Sequence, residues 1–220
     1  MSNVLTVAAL LPVFLVLWYI YRQDHDPEPR GVVAATFGFG CLTVVPVLLM
    51  EWETFSDPFI QMYCQIAPAE EFWKLLVIML YIWNHKAFDD SYDSIVYCVM
   101  ASLGFAAVEN MLYTIENGLA VAAMRSVTSI PGHAAFAVFM GYFVARAKHH
   151  SFYKRTANQV WAIAAALRVP TCVHGTYDYL LANPDWSLLW VIVVLFMDVV
   201  AFLLVKKAAK DDKPMTSSEL

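Results

Sequence analysis

The sequence predicts an all-α, polytopic transmembrane helix bundle of about seven spans. Three observations predict it. Of the 220 residues, 60% are hydrophobic and only 15% are charged, whereas a soluble domain averages roughly 45–50% and about 25%. Apolar stretches of about 18 residues or more recur along the chain, the length a helix needs to cross the hydrocarbon core. Lys and Arg gather in alternate connections, the pattern expected of a chain that crosses a bilayer repeatedly. One transmembrane domain over residues 1–208 and a flexible polar tail over 209–220 account for the whole sequence.

The first span, residues 4–21, has no Lys or Arg before it and no small-residue cleavage site after it, so it reads as a retained helix and not as a signal peptide. Further spans are expected over 31–50, 66–83, 94–115, 127–146, 159–182 and 186–205. The third and fourth are the least apolar, since Glu70, Glu71 and Lys74 fall in one and Glu109 in the other. With seven crossings, one side receives Arg22, Arg30, Lys86, Arg146, Lys148, Lys154, Arg155, Lys206, Lys207, Lys210 and Lys213, and the other receives only Arg125. Lys74 and Arg168 lie inside spans, where Arg168 reads as a structural counter-ion. Positive charge marks the cytoplasmic side, which places the N-terminus outside and the C-terminus in the cytoplasm. Trp18, Trp52, Trp83, Trp161 and Trp186 stand near span ends and read as interfacial anchors.

The formal net charge of −5 gives no reason to expect a nucleic-acid partner; the bilayer is the surrounding these spans require. Cys41, Cys64, Cys98 and Cys172 form no C-x-x-C pair, which removes zinc-ribbon and thioredoxin-like chemistry. All connections are short, so any chemistry must occur within the bundle. No repeat of the inverted-transporter kind is present.

Ionisable groups at bilayer depth are costly, about 2.5–3.5 kcal/mol each on insertion scales, and therefore mark functional sites. Counting from the outer ends at about 1.5 Å per residue puts Glu70, Glu71, Glu109, His133, His174 and Asp178 roughly 6–12 Å below the outer boundary. Four helices thus bring carboxylates and imidazoles to one level. His174 and Asp178 share a helical face, as do Glu70 and Lys74, and Glu109 and Tyr113. Pro68, Pro131 and Pro170 precede Glu70, His133 and His174 by two, two and four residues, which allows local irregularity beside a cavity.

Such a cluster can activate water. A glutamate takes its proton, a histidine holds the water or protonates a leaving amine, and the second histidine with Asp178 stabilises an oxyanion. Lys74 keeps a glutamate ionised in a poorly solvated site. The same atoms offer a second scheme, with His133, His174 and Glu71 as ligands of Zn²⁺ or another divalent ion around an open position, although no H-E-x-x-H is present. Asn110 and Tyr113 are expected to support the cluster. A third scheme makes the same residues the ion path of a proton- or ion-coupled transporter.

The motifs E-E-x-x-K (70–74), G-F-A-A-x-E-N-x-x-Y (104–113), His133 followed by Gly141, and H-x-x-x-D (174–178) resemble those of the PrsW family of prokaryotic membrane proteases. Their order is similar to that of the CAAX-prenyl protease superfamily. D-x-x-P-E-P at 24–29 and D-S-I-V-Y at 93–97 extend the resemblance over most of the chain. It implies a multi-pass protein of the prokaryotic plasma membrane that cleaves a single-span, membrane-anchored substrate of the anti-sigma-factor kind near its extracytoplasmic side, in regulated proteolysis and stress signalling. It also implies that Glu70 and Glu71 are the essential glutamate pair, with His133, His174 and Asp178 in the later motifs and Glu70 favoured as the base. The wider superfamily carries an arginine one position later than Lys74, and a phenylalanine where Ser129 stands.

Overall fold

The computed structural model describes residues 3–51 and 55–212, and these form helices joined by short connections with no strand among them. Trp52, Lys213 and most of the expected tail lie outside the described residues. Each of the seven expected spans coincides with helix. Four helical stretches, Arg30–Met50, Asp93–Asn117, Leu119–Phe152 and Pro184–Lys210, are long and apolar enough to cross a membrane, and Thr6–Arg22 is a shorter apolar helix.

The central element is α6 (Asp93–Asn117), buried along most of its length between α1 (Asn3–Arg22), α2 (Arg30–Leu42) and α8 (Ser129–Phe152). Small residues set these crossings. A Cβ on Gly40 would lie 2.1 Å from the Ala101 carbonyl oxygen, and one on Gly104 would lie 2.1 Å from that of Phe37, so α2 and α6 meet backbone to backbone. Gly141 does the same for α8, where a Cβ would fall 2.7 Å from Ile95 Cα. Lipid tails are as apolar as leucine, so close van der Waals packing holds membrane helices together, and small residues permit it.

The second span is not one straight helix. It bends at Thr43, whose hydroxyl donates to the Gly40 carbonyl at 2.6 Å, and continues as α3 (Val44–Met50). Pro46 supplies no N–H for the turn beneath it, which accounts for the break. The third span begins earlier than residue 66. Asp57 caps α4 (Pro58–Ile60) by accepting the Ile60 N–H at 3.0 Å, and a π-helical stretch, Gln61–Ile66, leads into α5 (Ala67–Val77) and a second one, Ile78–Ile82. Pro68 has no N–H for the Cys64 carbonyl, and the wide turns before it absorb that loss.

The expected outer loop after the fourth span holds a further helix, α7 (Leu119–Val127). Gly118 makes the reversal at φ +81°, a conformation that glycine adopts without steric cost. The bundle is completed by α9 (Thr156–Leu181), which lies along α8, and α10 (Ser187–Lys210), which packs on both. Leu188, Ile192, Leu195, Phe196 and Val199 of α10 and Val7, Leu11, Phe14 and Leu15 of α1 are exposed, as faces turned to lipid should be. Arg168 is exposed on α9 and forms no ion pair among the described residues, so it is not the structural counter-ion expected of it.

Candidate active site

Lys74 organises the site. It is fully buried in the last turn of α5, and an ammonium has three protons to donate. They go to Glu70 Oε2 at 2.9 Å, Glu71 Oε1 at 2.8 Å and His133 Nδ1 at 3.2 Å. Helical spacing of four and three residues brings both glutamates to the lysine, and α8 delivers the histidine opposite. The ammonium also sits 4.4 Å over the Phe105 ring.

These contacts settle how the histidines carry their protons. Because Lys74 can only donate, His133 Nδ1 accepts, and its Nε2–H is the donor to Glu109 Oε2 at 3.0 Å. His133 is therefore a neutral imidazole. His174 faces carboxylates on both sides: Nδ1 lies 3.0 Å from Glu71 Oε1 and Nε2 lies 3.2 Å from Asp178 Oδ2, with Glu70 Oε2 at 4.0 Å. Only the imidazolium donates to both. The two rings lie 5.4 Å apart, and Phe136 stacks on His174 at 4.5 Å. One imidazole is thus held neutral and the other charged a short distance away, the kind of divergence that separates acid and base roles.

Every expected site residue belongs to this network or to the cavity beside it, Asn110 through Arg125. Glu70, Glu109, Tyr113, His133, His174 and Asp178 line a cavity of about 630 Å³, within the range of ligand sites. Glu71 does not line it; it is fully buried and serves Lys74 and His174. Asn110 donates to the Ala9 carbonyl at 2.7 Å and accepts from Arg125 Nε at 3.0 Å, so it ties α6 to α1 and also holds the arginine that pairs with Glu109.

Two residues of the site were not foreseen. Arg125, read as a lone loop cation, is carried by α7 back over α6, where it pairs with Glu109 at 2.7 Å and lies 4.1 Å over the Tyr113 ring. Glu51, one residue beyond α3, lines the same cavity and has a buried Oε1 without a hydrogen-bond partner. Burial, and then the charges of Glu70, Glu109 and Asp178, push its carboxyl up to about 8. The signal for Arg125 was its solitude as the one basic residue on its side of the bundle; for Glu51 the sequence offers none, because it follows an apolar run as any interfacial acid would.

Fold and site together define a membrane-embedded enzyme whose carboxylates and imidazoles converge on a largely apolar cavity within a helix bundle. The family described as "PrsW family intramembrane metalloprotease" matches residues 28–205. Among relatives named Protease PrsW, that of Oceanobacillus iheyensis is 36% identical over 201 residues, covering 85% of this chain and 91% of its own. That of Geobacillus kaustophilus is 34% identical over 187 residues (82% and 81%), and that of Bacillus subtilis 32% over 186 (81% and 84%). No solved structure matches the chain significantly. The chain belongs to the PrsW family of intramembrane proteases, and it is a peptidase of the membrane in a family whose named relatives are bacterial. Membership in a protease family leaves the transporter alternative without support.

The metal in the family's description meets suitable donors here. Glu70, Glu71 and His133 each offer an atom, all within 4.8 Å of one another, and Glu71 Oε2 is buried without a hydrogen-bond partner. His174, expected in the ligand set with His133 and Glu71, reaches that group through Glu71. The Lys74 ammonium touches the same three side chains, so a divalent ion and the lysine compete for the same lone pairs.

Proposed function

We propose that this protein is an intramembrane endopeptidase that cleaves a single-span membrane protein near its extracytoplasmic side, with Glu70 as the general base. The observation that carries the choice of base is that Glu70 reaches the cavity while Glu71, its neighbour and equal in charge, does not. A base must lie within hydrogen-bond reach of the water it deprotonates. Lys74 donates to Glu70 and fixes its carboxylate at the cavity edge, and Glu71 holds Lys74 and His174 in place.

The remaining steps follow from the two protonation states. A water in the cavity beside Glu70 loses its proton to the carboxylate and attacks the scissile carbonyl. The His174 imidazolium, whose two N–H groups are held by Glu71 and Asp178, sets its positive charge beside the developing oxyanion and stabilises it electrostatically. The neutral His133, with Glu109 and Arg125 behind it, lines the wall on the other side. Glu70 then returns its proton to the leaving amine. A divalent ion, when bound, would be held by Glu70, Glu71 and His133 and would supply Lewis acidity toward water or the carbonyl. The extracytoplasmic cut, and with it a substrate of the anti-sigma-factor kind, is supported by Glu116, Asn117 and Ala182 in the cavity lining, residues at the span ends that loop charge assigns to the outside.

The test is cleavage of a co-reconstituted single-span substrate. Glu70→Gln, His133→Ala and His174→Ala are expected to abolish it, and undiminished cleavage by all three would sink the proposal. Cleavage lost on chelation and restored by Zn²⁺ would assign water activation to an ion; cleavage that survives chelation assigns it to Glu70 alone.

A further inference from the structure

A second group of carboxylates lies at the other end of α6. Asp93 opens that helix, and Glu109 follows about four turns later, about 24 Å along the axis. Beside Asp93 the connection from α1 to α2 brings Asp24 and Glu28, and all three side chains are buried, at 1%, 8% and 4% exposure respectively. One oxygen of each lies within 4.8 Å of the others. Among the described residues no Lys, Arg or His forms an ion pair with any of them, although every carboxylate of the Lys74 cluster has one.

Glu28 and Asp93 meet side chain to side chain, and backbone and hydroxyl donors hold the three carboxylates around them. Asp93 Oδ2 accepts the N–H groups of Asp89 at 3.0 Å and Asp90 at 2.7 Å. Glu28 Oε2 accepts from the Tyr97 hydroxyl, and Asp24 Oδ1 accepts the Asp26 N–H at 3.1 Å. Asp24 Oδ2 is buried with no hydrogen-bond partner at all. Hydrogen bonds that fix one oxygen of each ligand and leave another to the centre are how supporting residues orient the carboxylates of an ion site. A proton shared between two carboxylates would leave this third oxygen unsatisfied.

We propose that Asp24, Glu28 and Asp93 bind a hard divalent cation, Ca²⁺, Mg²⁺ or Mn²⁺, at the end of the bundle opposite the proteolytic cavity. The all-oxygen donor set selects these ions over zinc or copper. The ion clamps the α1–α2 connection to the first turn of α6. Tyr21 completes the clamp, donating its hydroxyl to the Glu28 carbonyl at 2.8 Å. The site stands independently of the proteolytic mechanism.

The full-length protein in detergent, stripped with chelator, is titrated with each ion while thermal unfolding is followed. Tyr97 touches Glu28, so Tb³⁺ in the site is excited through tyrosine and provides a second readout. A rise in Tm of about 5 °C or more at about 100 times Kd is expected with at least one ion, together with sensitised Tb³⁺ emission that the same ion displaces. Asp24→Asn, which retains the acceptor for Asp26, and Glu28→Gln should lose both signals, whereas Glu70→Gln and His133→Ala should keep both. No response to any of the ions, or a response that persists in Asp24→Asn, would overturn the proposal.

Discussion

Lys74 is the residue on which the site's electrostatics turn. Its removal leaves Glu70 and Glu71 as buried carboxylates without their shared cation, a loss of about 3–5 kcal/mol for a broken buried pair. Lys74→Met is expected to lower the unfolding temperature in detergent as well as to stop cleavage. The two glutamates should separate by readout. Glu70→Gln is expected to cut kcat by about 10²–10⁴ with little change in Tm, because the amide oxygen still accepts from Lys74 and the side chain borders the cavity. Glu71→Gln should lower Tm together with activity, since Lys74 and His174 both lose a carboxylate. Glu51 governs a pH dependence. Its folded-state value of about 8 lies above its ordinary 4.5, so the folded protein holds a proton that the unfolded chain releases. Stability from this group is full below about 4.5 and falls as pH rises toward 8. Glu51→Gln should flatten that part of a Tm profile taken between pH 5 and 9.

At the scale of elements, the site depends on how closely helices approach and on one that folds back. Gly104→Leu would drive a side chain into the Phe37 carbonyl across the α2–α6 crossing, and a loss of about 1–3 kcal/mol or more is expected from such overpacking, read as a fall in Tm. Arg125 reaches Glu109 only because Gly118 reverses the chain between α6 and α7. Arg125→Gln is expected to reduce cleavage about tenfold or more, since a hydrogen bond to a charged group is worth about 1.5–3 kcal/mol and about 1.4 kcal/mol is a factor of ten in rate. Arg125→Lys should recover part of it. The breaks at Thr43 and before Pro68 were legible only as prolines. Whether a proline starts, bends or widens a helix depends on which neighbours meet the freed carbonyl, and no local pattern encodes them.

For the whole molecule, the expected topology has a direct check. In a chain freed of its native cysteines, Glu116→Cys should react with a membrane-impermeant maleimide from outside the cell and Lys154→Cys only after the inner face is opened. The helical bundle, the helix in each of the seven expected spans and the convergence of Glu70, Glu109, His133, His174 and Asp178 were all readable in the sequence. The physical reason is that span length and depth are one-dimensional quantities, set by the apolar run and a rise of about 1.5 Å per residue. Rotation about the helix axis is a different matter. Glu70 and Glu71 are neighbours on the polar side of α5, and Lys74 is within helical reach of both, so only packing decided that Glu70 borders the cavity while Glu71 is enclosed by Lys74 and His174. Arg125 and Glu51 entered the site for the same reason, through a reversal at Gly118 and a bend at Thr43 that brought distant stretches of chain together.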